Sequence, residues 1–174
     1  MTSDRTVVLE LTRLEALHLA GLVRQFDELL DSTERAADDP AVARLVPDAY
    51  DEDPDAAREF RAVTESDLLS RRRSDAAAVI ESLRPAIDDP HPLEDGDESD
   101  LVDEAGDLTD TVTIALDPEA VDAWLRALAA IRLVLASRLG IQSEDDHDDE
   151  DPRFGVYDWL GYRLDGLVRA VSGD

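Results

Sequence analysis

Negative charge on this chain is gathered into two tracts, and that gathering decides which parts of it can pack. Eleven carboxylates fall between Asp88 and Asp110 with no basic residue among them. Seven more occupy the eight positions from Glu144 to Asp151, broken only by His147. Formal net charge over the 174 residues is −26, and with those 18 carboxylates set aside the remainder carries only −8. Tracts of like charge with few apolar residues bury too little to offset their ordering entropy. Residues 88–109 and 143–152 therefore read as flexible acidic loops on a single domain spanning 1–174.

The rest alternates between two helical and strand-like designs. Thr6 to Leu11 reads as a short strand. Thr12 and Glu15 then match a capping box, in which hydroxyl and carboxylate each satisfy a backbone N–H of the first turn. Leu19, Leu22, Val23, Phe26, Leu29 and Leu30 follow at helical spacing, with an end expected near Asp31. The pattern returns 105 positions later. Thr111 to Leu116 resembles Thr6 to Leu11, Asp117 stands as N-cap, and Pro118 takes the first helical position. Val121, Trp124, Leu125, Leu128, Ile131, Leu135 and Leu139 form its apolar stripe, and Gly140 is the expected C-cap. The two short strands are expected to pair and to lie on helices, because an isolated ribbon is marginal.

Between these units the sequence suggests a short turn of helix from Pro40 to Val46 and then two middle helices. One starts at Asp53–Pro54 with Ala57, Phe60 and Val63 inside. The second is capped by Thr64 or Ser66, carries Leu68, Leu69, Ala76, Val79, Ile80 and Leu83, and stops near Arg84–Pro85. A last helix is expected from Phe154 to Val171, with Val156, Tyr157, Leu160, Leu164, Leu167, Val168 and Val171 on its inner face. The fold class is thus mainly α (α+β), a helical bundle with a small two-stranded β-ribbon.

Few catalytic options remain. Cysteine is absent, which removes disulfides, thiolate ligands and thiol switches from this chain. His18, His91 and His147 lie on different elements, and no nucleophilic triad, HExxH, Walker loop or GxGxxG is present. The acidic tracts lack EF-hand spacing, so no metal site is assigned. No cofactor and no catalysis are expected. No apolar run approaches the ~20 residues of a membrane span, and the expected compartment is the cytoplasm.

Three surfaces stand out instead. Trp159 and Tyr162, flanked by Asp158 and Arg169, sit off the inner stripe of the last helix, where aromatics favour a role as interface anchors for a protein partner or a second copy. Arg71, Arg72 and Arg73, with Arg58 and Arg61, form the only basic concentration and the alternative of direct DNA contact. Against DNA, the three adjacent arginines point in different directions around a helix, and the chain as a whole repels phosphate. Arg132 falls within the apolar stripe of its helix, so a carboxylate, with Glu15, Glu59 and Asp158 as candidates, or several carbonyls should meet it in a buried ion pair or its equivalent. The alternatives are a ligand-anion site or a side chain that snorkels to solvent. The acidic tracts could also serve as a nucleic-acid-mimicking decoy.

An ordered set of short motifs adds a family likeness. It comprises Leu45 to Tyr50, Glu59-Phe60-Arg61, Trp124-Leu125, Leu133-Val134-Leu135, Arg138-Leu139-Gly140 and Val156 to Gly161. In that order, with the opening strand–helix, the chain resembles the AosR-like actinobacterial oxidative-stress transcriptional regulators, formerly a domain of unknown function. The resemblance implies a cytoplasmic regulator linked to oxidative stress and cysteine metabolism, with no established catalytic residues and with the transcription machinery as a partner. A thiol-disulfide switch does not carry over to a chain without cysteine.

Overall fold

The computed structural model describes residues 6–46, 53–88, 108–148 and 150–173. Strand β1 (Val7–Thr12) leads into helix α1 (Arg13–Ser32). A single turn, α2 (Pro40–Ala43), precedes the long helix α3 (Pro54–Asp88). Strand β2 (Thr111–Leu116) then leads into α4 (Pro118–Leu139), and α5 (Gly155–Ser172) closes the chain. Among the described residues this is a mainly helical bundle with one two-stranded antiparallel sheet.

The two strand–helix units behave as their sequences require. Val7 pairs with Leu116 and Thr12 with Thr111, which puts Val7, Leu11, Ile114 and Leu116 on the buried face. Both capping-box bonds are present: the Thr12 hydroxyl accepts from the Glu15 N–H, and the Glu15 carboxylate accepts from the Thr12 N–H. Asp117 accepts from the Ala120 N–H at the start of α4. Gly140 ends α4 in the left-handed region at φ 76°, where a Cβ would be strained. The capping carboxylate of Asp53 accepts from Asp55 and Ala56 at the start of α3.

α1 packs on α3, α3 on α4, and α4 on α5, while the ribbon lies against α3 and α5. The core between them is aliphatic, with Leu19, Val23, Val79, Leu83, Leu128, Ile131 and Leu160 almost fully enclosed, and Trp124 as its largest member.

The middle of the chain departs from expectation. The two helices read from the sequence are one helix of 35 residues. Thr64 does not cap a new helix; its hydroxyl donates back to the Phe60 carbonyl, a bond compatible with an unbroken helix. Pro85 does not end it either. Leu83 and Ala86, on either side, are buried and hold the last turn on the core, which outweighs the missing backbone bond. The first turns of α3 are largely exposed. Ala57 is buried, but Phe60 is 41% and Val63 78% exposed, so these two are not inner-face residues.

The first acidic tract lies almost wholly outside the described residues, which include only its ends, Asp88 and 108–110. The second is partly folded. Asp146 accepts from the N–H groups of Gln142 and Ser143, and Asp151 accepts from the Arg153 N–H ahead of the short turn Pro152–Phe154. Two of its carboxylates, Asp146 and Asp151, are held below the usual carboxylate range, the first by backbone donors and the second by the Arg153 side chain and then its N–H.

Candidate functional site

Glu15 links the two ends of the chain. A carboxylate has two oxygens, and the capping box uses one: Oε2 accepts from the Thr12 N–H at 2.8 Å. Oε1 faces α5, where it accepts from the Trp159 indole N–H at 2.9 Å and from the Arg163 guanidinium. Trp159 and Arg163 are one helical turn apart, so both reach the same oxygen. Arg163 also donates to the Glu10 carbonyl on the outer edge of β1, which ties α5 to the ribbon. Burial by itself raises the Glu15 pKa, but the Thr12, Trp159 and Arg163 hydrogen bonds outweigh it and bring it to about 2.

This arrangement corrects the reading of α5. Trp159 does not point away from the fold; its ring packs against the core and its polar atom is satisfied within the chain. α5 packs on α4, with Leu160 and Leu167 buried in the core, and Trp159 reaches sideways to Glu15 on α1. Val156, Val168 and Val171, expected inside, are about half exposed. Tyr162 is 71% exposed, as its position off the stripe implied. Asp158 bonds His147 at 2.6 Å rather than flanking an open aromatic face, and Arg169 pairs with Asp165 one turn earlier.

Beside Trp159 the surface is concave and apolar. A groove of about 560 Å³ runs between α1 and the start of α5, lined by Leu17, His18, Gly21, Leu22, Val156 and Trp159. Leu17 on its α1 side is 36% exposed, and Val156 opposite is 53% exposed. Leu17 was not singled out from the sequence. It stands outside the strongest stripe of its helix, and only the approach of α5 makes it part of one wall of a cleft.

The basic residues of α3 do not form an open patch. Arg73 bonds Asp27 at 2.8 Å and Asp31 at 2.6 Å on α1, and the Asp27 hydrogen bond holds it more firmly protonated. Arg58 pairs with Asp55, and Arg61 is also engaged. Arg71 is exposed and Arg72 partly buried. Because α3 is one helix, these side chains spread over several turns and faces. The arrangement contains no turn between two helices in this region, which the helix–turn–helix alternative required.

For Arg132 the expected ion pair is not formed, and a carbonyl meets it instead. Among the described residues it has no carboxylate partner: Glu15 is taken by Arg163, Asp158 by His147, and Glu59 is exposed. The guanidinium instead lies 4.0 Å from the centre of the Tyr157 ring and donates to the Tyr157 carbonyl at 3.4 Å. The buried carboxylate of the core is Asp75 on α3, which pairs with the half-exposed Arg126 on α4.

Among the described residues no group of three or more His, Asp or Glu is placed to hold a metal ion, and no helix is long and apolar enough to cross a membrane. The model of a family described as a domain of unknown function, DUF2017, matches residues 1–171. The chain belongs to the DUF2017 family. That match spans both strand–helix units and α5, so the Glu15–Trp159 link and the groove beside it lie inside the DUF2017 domain. Neither the curated proteins nor the solved structures contain a match.

Proposed function

We propose that this DUF2017 protein is a non-enzymatic regulator that works through protein–protein contact at the groove between α1 and α5. The observation that carries the reading is the groove itself: a concave apolar surface whose floor, Trp159, is fixed by a hydrogen bond to Glu15. Rigid aromatic floors with an apolar rim favour partner side chains over solvent, because the ordering cost is already met in the free protein. The rim fits the apolar face of a helix or loop. Tyr162, exposed two turns along α5, extends the contact area.

The AosR-like resemblance supports a role in transcription under oxidative stress, and on this reading the partner belongs to the transcription machinery and the protein works in the cytoplasm. With no cysteine in the chain, the stress signal reaches it through the partner rather than through a thiol of its own. Direct DNA contact through α3 is the weaker alternative, since Arg73 is already neutralised by Asp27 and Asp31.

Affinity capture from nuclease-treated extract tests the reading. Leu17→Asp and Val156→Asp should release the retained partner while leaving the circular-dichroism spectrum unchanged. Arg71→Ala with Arg72→Ala should not release it. Retention that disappears with nuclease, or that survives both groove variants, contradicts the proposal.

A further inference from the structure

A second cleft, of about 700 Å³, opens between α4, α5 and the segment that follows Gly140, and it shares no lining residue with the α1–α5 groove. Its wall is half aliphatic, through Leu133, Ile141 and Leu164, and half polar, through Arg44, Arg132 and His147. Arg132 is the odd member. Its Nε–H reaches the Tyr157 carbonyl only at 3.4 Å, and among the described residues its two terminal NH₂ groups have no hydrogen-bond partner. The Tyr157 ring at 4.0 Å holds the plane of the guanidinium without using its in-plane donors.

The space for that guanidinium is made by Gly161. A Cβ at this position would lie 3.1 Å from Arg132 Nε and 3.3 Å from Nη2, so the arginine rests directly on the backbone of α5. Glycine in a helix interior costs about 1 kcal/mol relative to alanine. Gly161 thus leaves the room that Arg132 occupies, with its terminal donors unused among the described residues.

We propose that this cleft binds a small monocarboxylate with a short aliphatic body. The planar fork of Arg132 matches a carboxylate through two parallel hydrogen bonds. Arg44 lines the same cleft and adds a second positive charge, while Asp158 contributes one negative charge and is bonded to His147. With the His147 imidazole neutral, two guanidinium charges against one carboxylate leave a single positive charge among the described lining residues, which a monoanion neutralises and a dianion overshoots. Leu133, Ile141 and Leu164 would cover the aliphatic body.

The probe is 3-methylbutanoate, titrated into the isotope-labelled full chain at constant ionic strength with chloride as the balancing anion. The expected result is a saturable shift of the Arg132 Nε–H and the Leu133 and Ile141 methyl signals, with the Trp159 indole signal unmoved. Arg132→Met should weaken binding at least about tenfold, the effect of losing charge-assisted hydrogen bonds. Gly161→Ala, whose Cβ makes the guanidinium give by a few tenths of an ångström, should weaken it in the same direction. If Arg132→Met does not fold, Arg44→Met takes its place, with the same direction expected. No saturable shift up to about 50 mM, well beyond millimolar affinity, would overturn the proposal. So would equal binding of the uncharged 3-methylbutanamide, or an equal response to inorganic phosphate.

Discussion

Trp159 donates its indole N–H to Glu15 at 2.9 Å, a bond that joins the first turn of α1 to α5 across 144 positions of sequence. The same carboxylate caps its own helix and receives Arg163. One side chain thus sets where α1 begins and how α5 lies on it, and the groove depends on both.

Replacing Glu15 by glutamine should lower stability by about 1–3 kcal/mol, because Arg163 loses its carboxylate and the capping bond weakens. Urea denaturation at neutral pH checks the size of the loss.

The pH dependence of that loss follows from the depressed carboxyl. Glu15 sits at about 2 against an ordinary 4.5, so its contribution is fully present above the unfolded value and fades as pH falls from 4.5 toward 2. At a partly exposed site, with solvent screening, that contribution is about 1–2 kcal/mol. The stability gap between the native chain and Glu15→Gln should therefore be constant near neutral pH and narrow in acid. A gap unchanged from about pH 6 to about pH 2.5 would count against the assigned hydrogen bonds.

Trp159 and Tyr162 should separate cleanly. Trp159→Ala removes a ring packed on the core and should cost about 2–4 kcal/mol. Tyr162→Ala, at a position 71% exposed, should change stability by less than about 0.5 kcal/mol. Chemical denaturation of both variants distinguishes a structural ring from an exposed one.

Asp75 and Arg126 predict an asymmetry. The Asp75 side chain is 11% exposed and that of Arg126 is 53% exposed. Asp75→Ala leaves a guanidinium that can turn to water, at about 1–2 kcal/mol, whereas Arg126→Ala strands an enclosed carboxylate, at about 2–4 kcal/mol. A double-mutant cycle should show the larger single loss at the arginine.

What the sequence made legible is local. Thr12 with Glu15, Asp117 with Pro118, and Gly140 each declare a helix end within four residues, and the ribbon follows from two matching runs that begin those units. The continuity of α3 was hidden because Thr64, Ser66 and Pro85 are the residue types that mark boundaries. Burial of Leu83 and Ala86 against other helices overrides them, and that is a tertiary effect. Trp159 was left off the inner stripe because a single helical stripe presumes contact with one helix, whereas α5 packs on α4 and also reaches Glu15 on α1 through Trp159. The available signal was the spare oxygen of Glu15: a capping carboxylate has a second acceptor, and Trp159 and Arg163 are donors at matching helical spacing. Arg132 carried no sequence signal for Tyr157, which lies on a different helix.

The most direct test of the contact surface is to place a photo-crosslinking amino acid at Leu17 and, in a separate protein, at Arg71, and to irradiate both in nuclease-treated extract. Crosslinking of a single protein species from position 17, abolished by Val156→Asp and absent from position 71, is the expected result. No species from position 17, or the same species from both positions, would contradict a groove-borne contact.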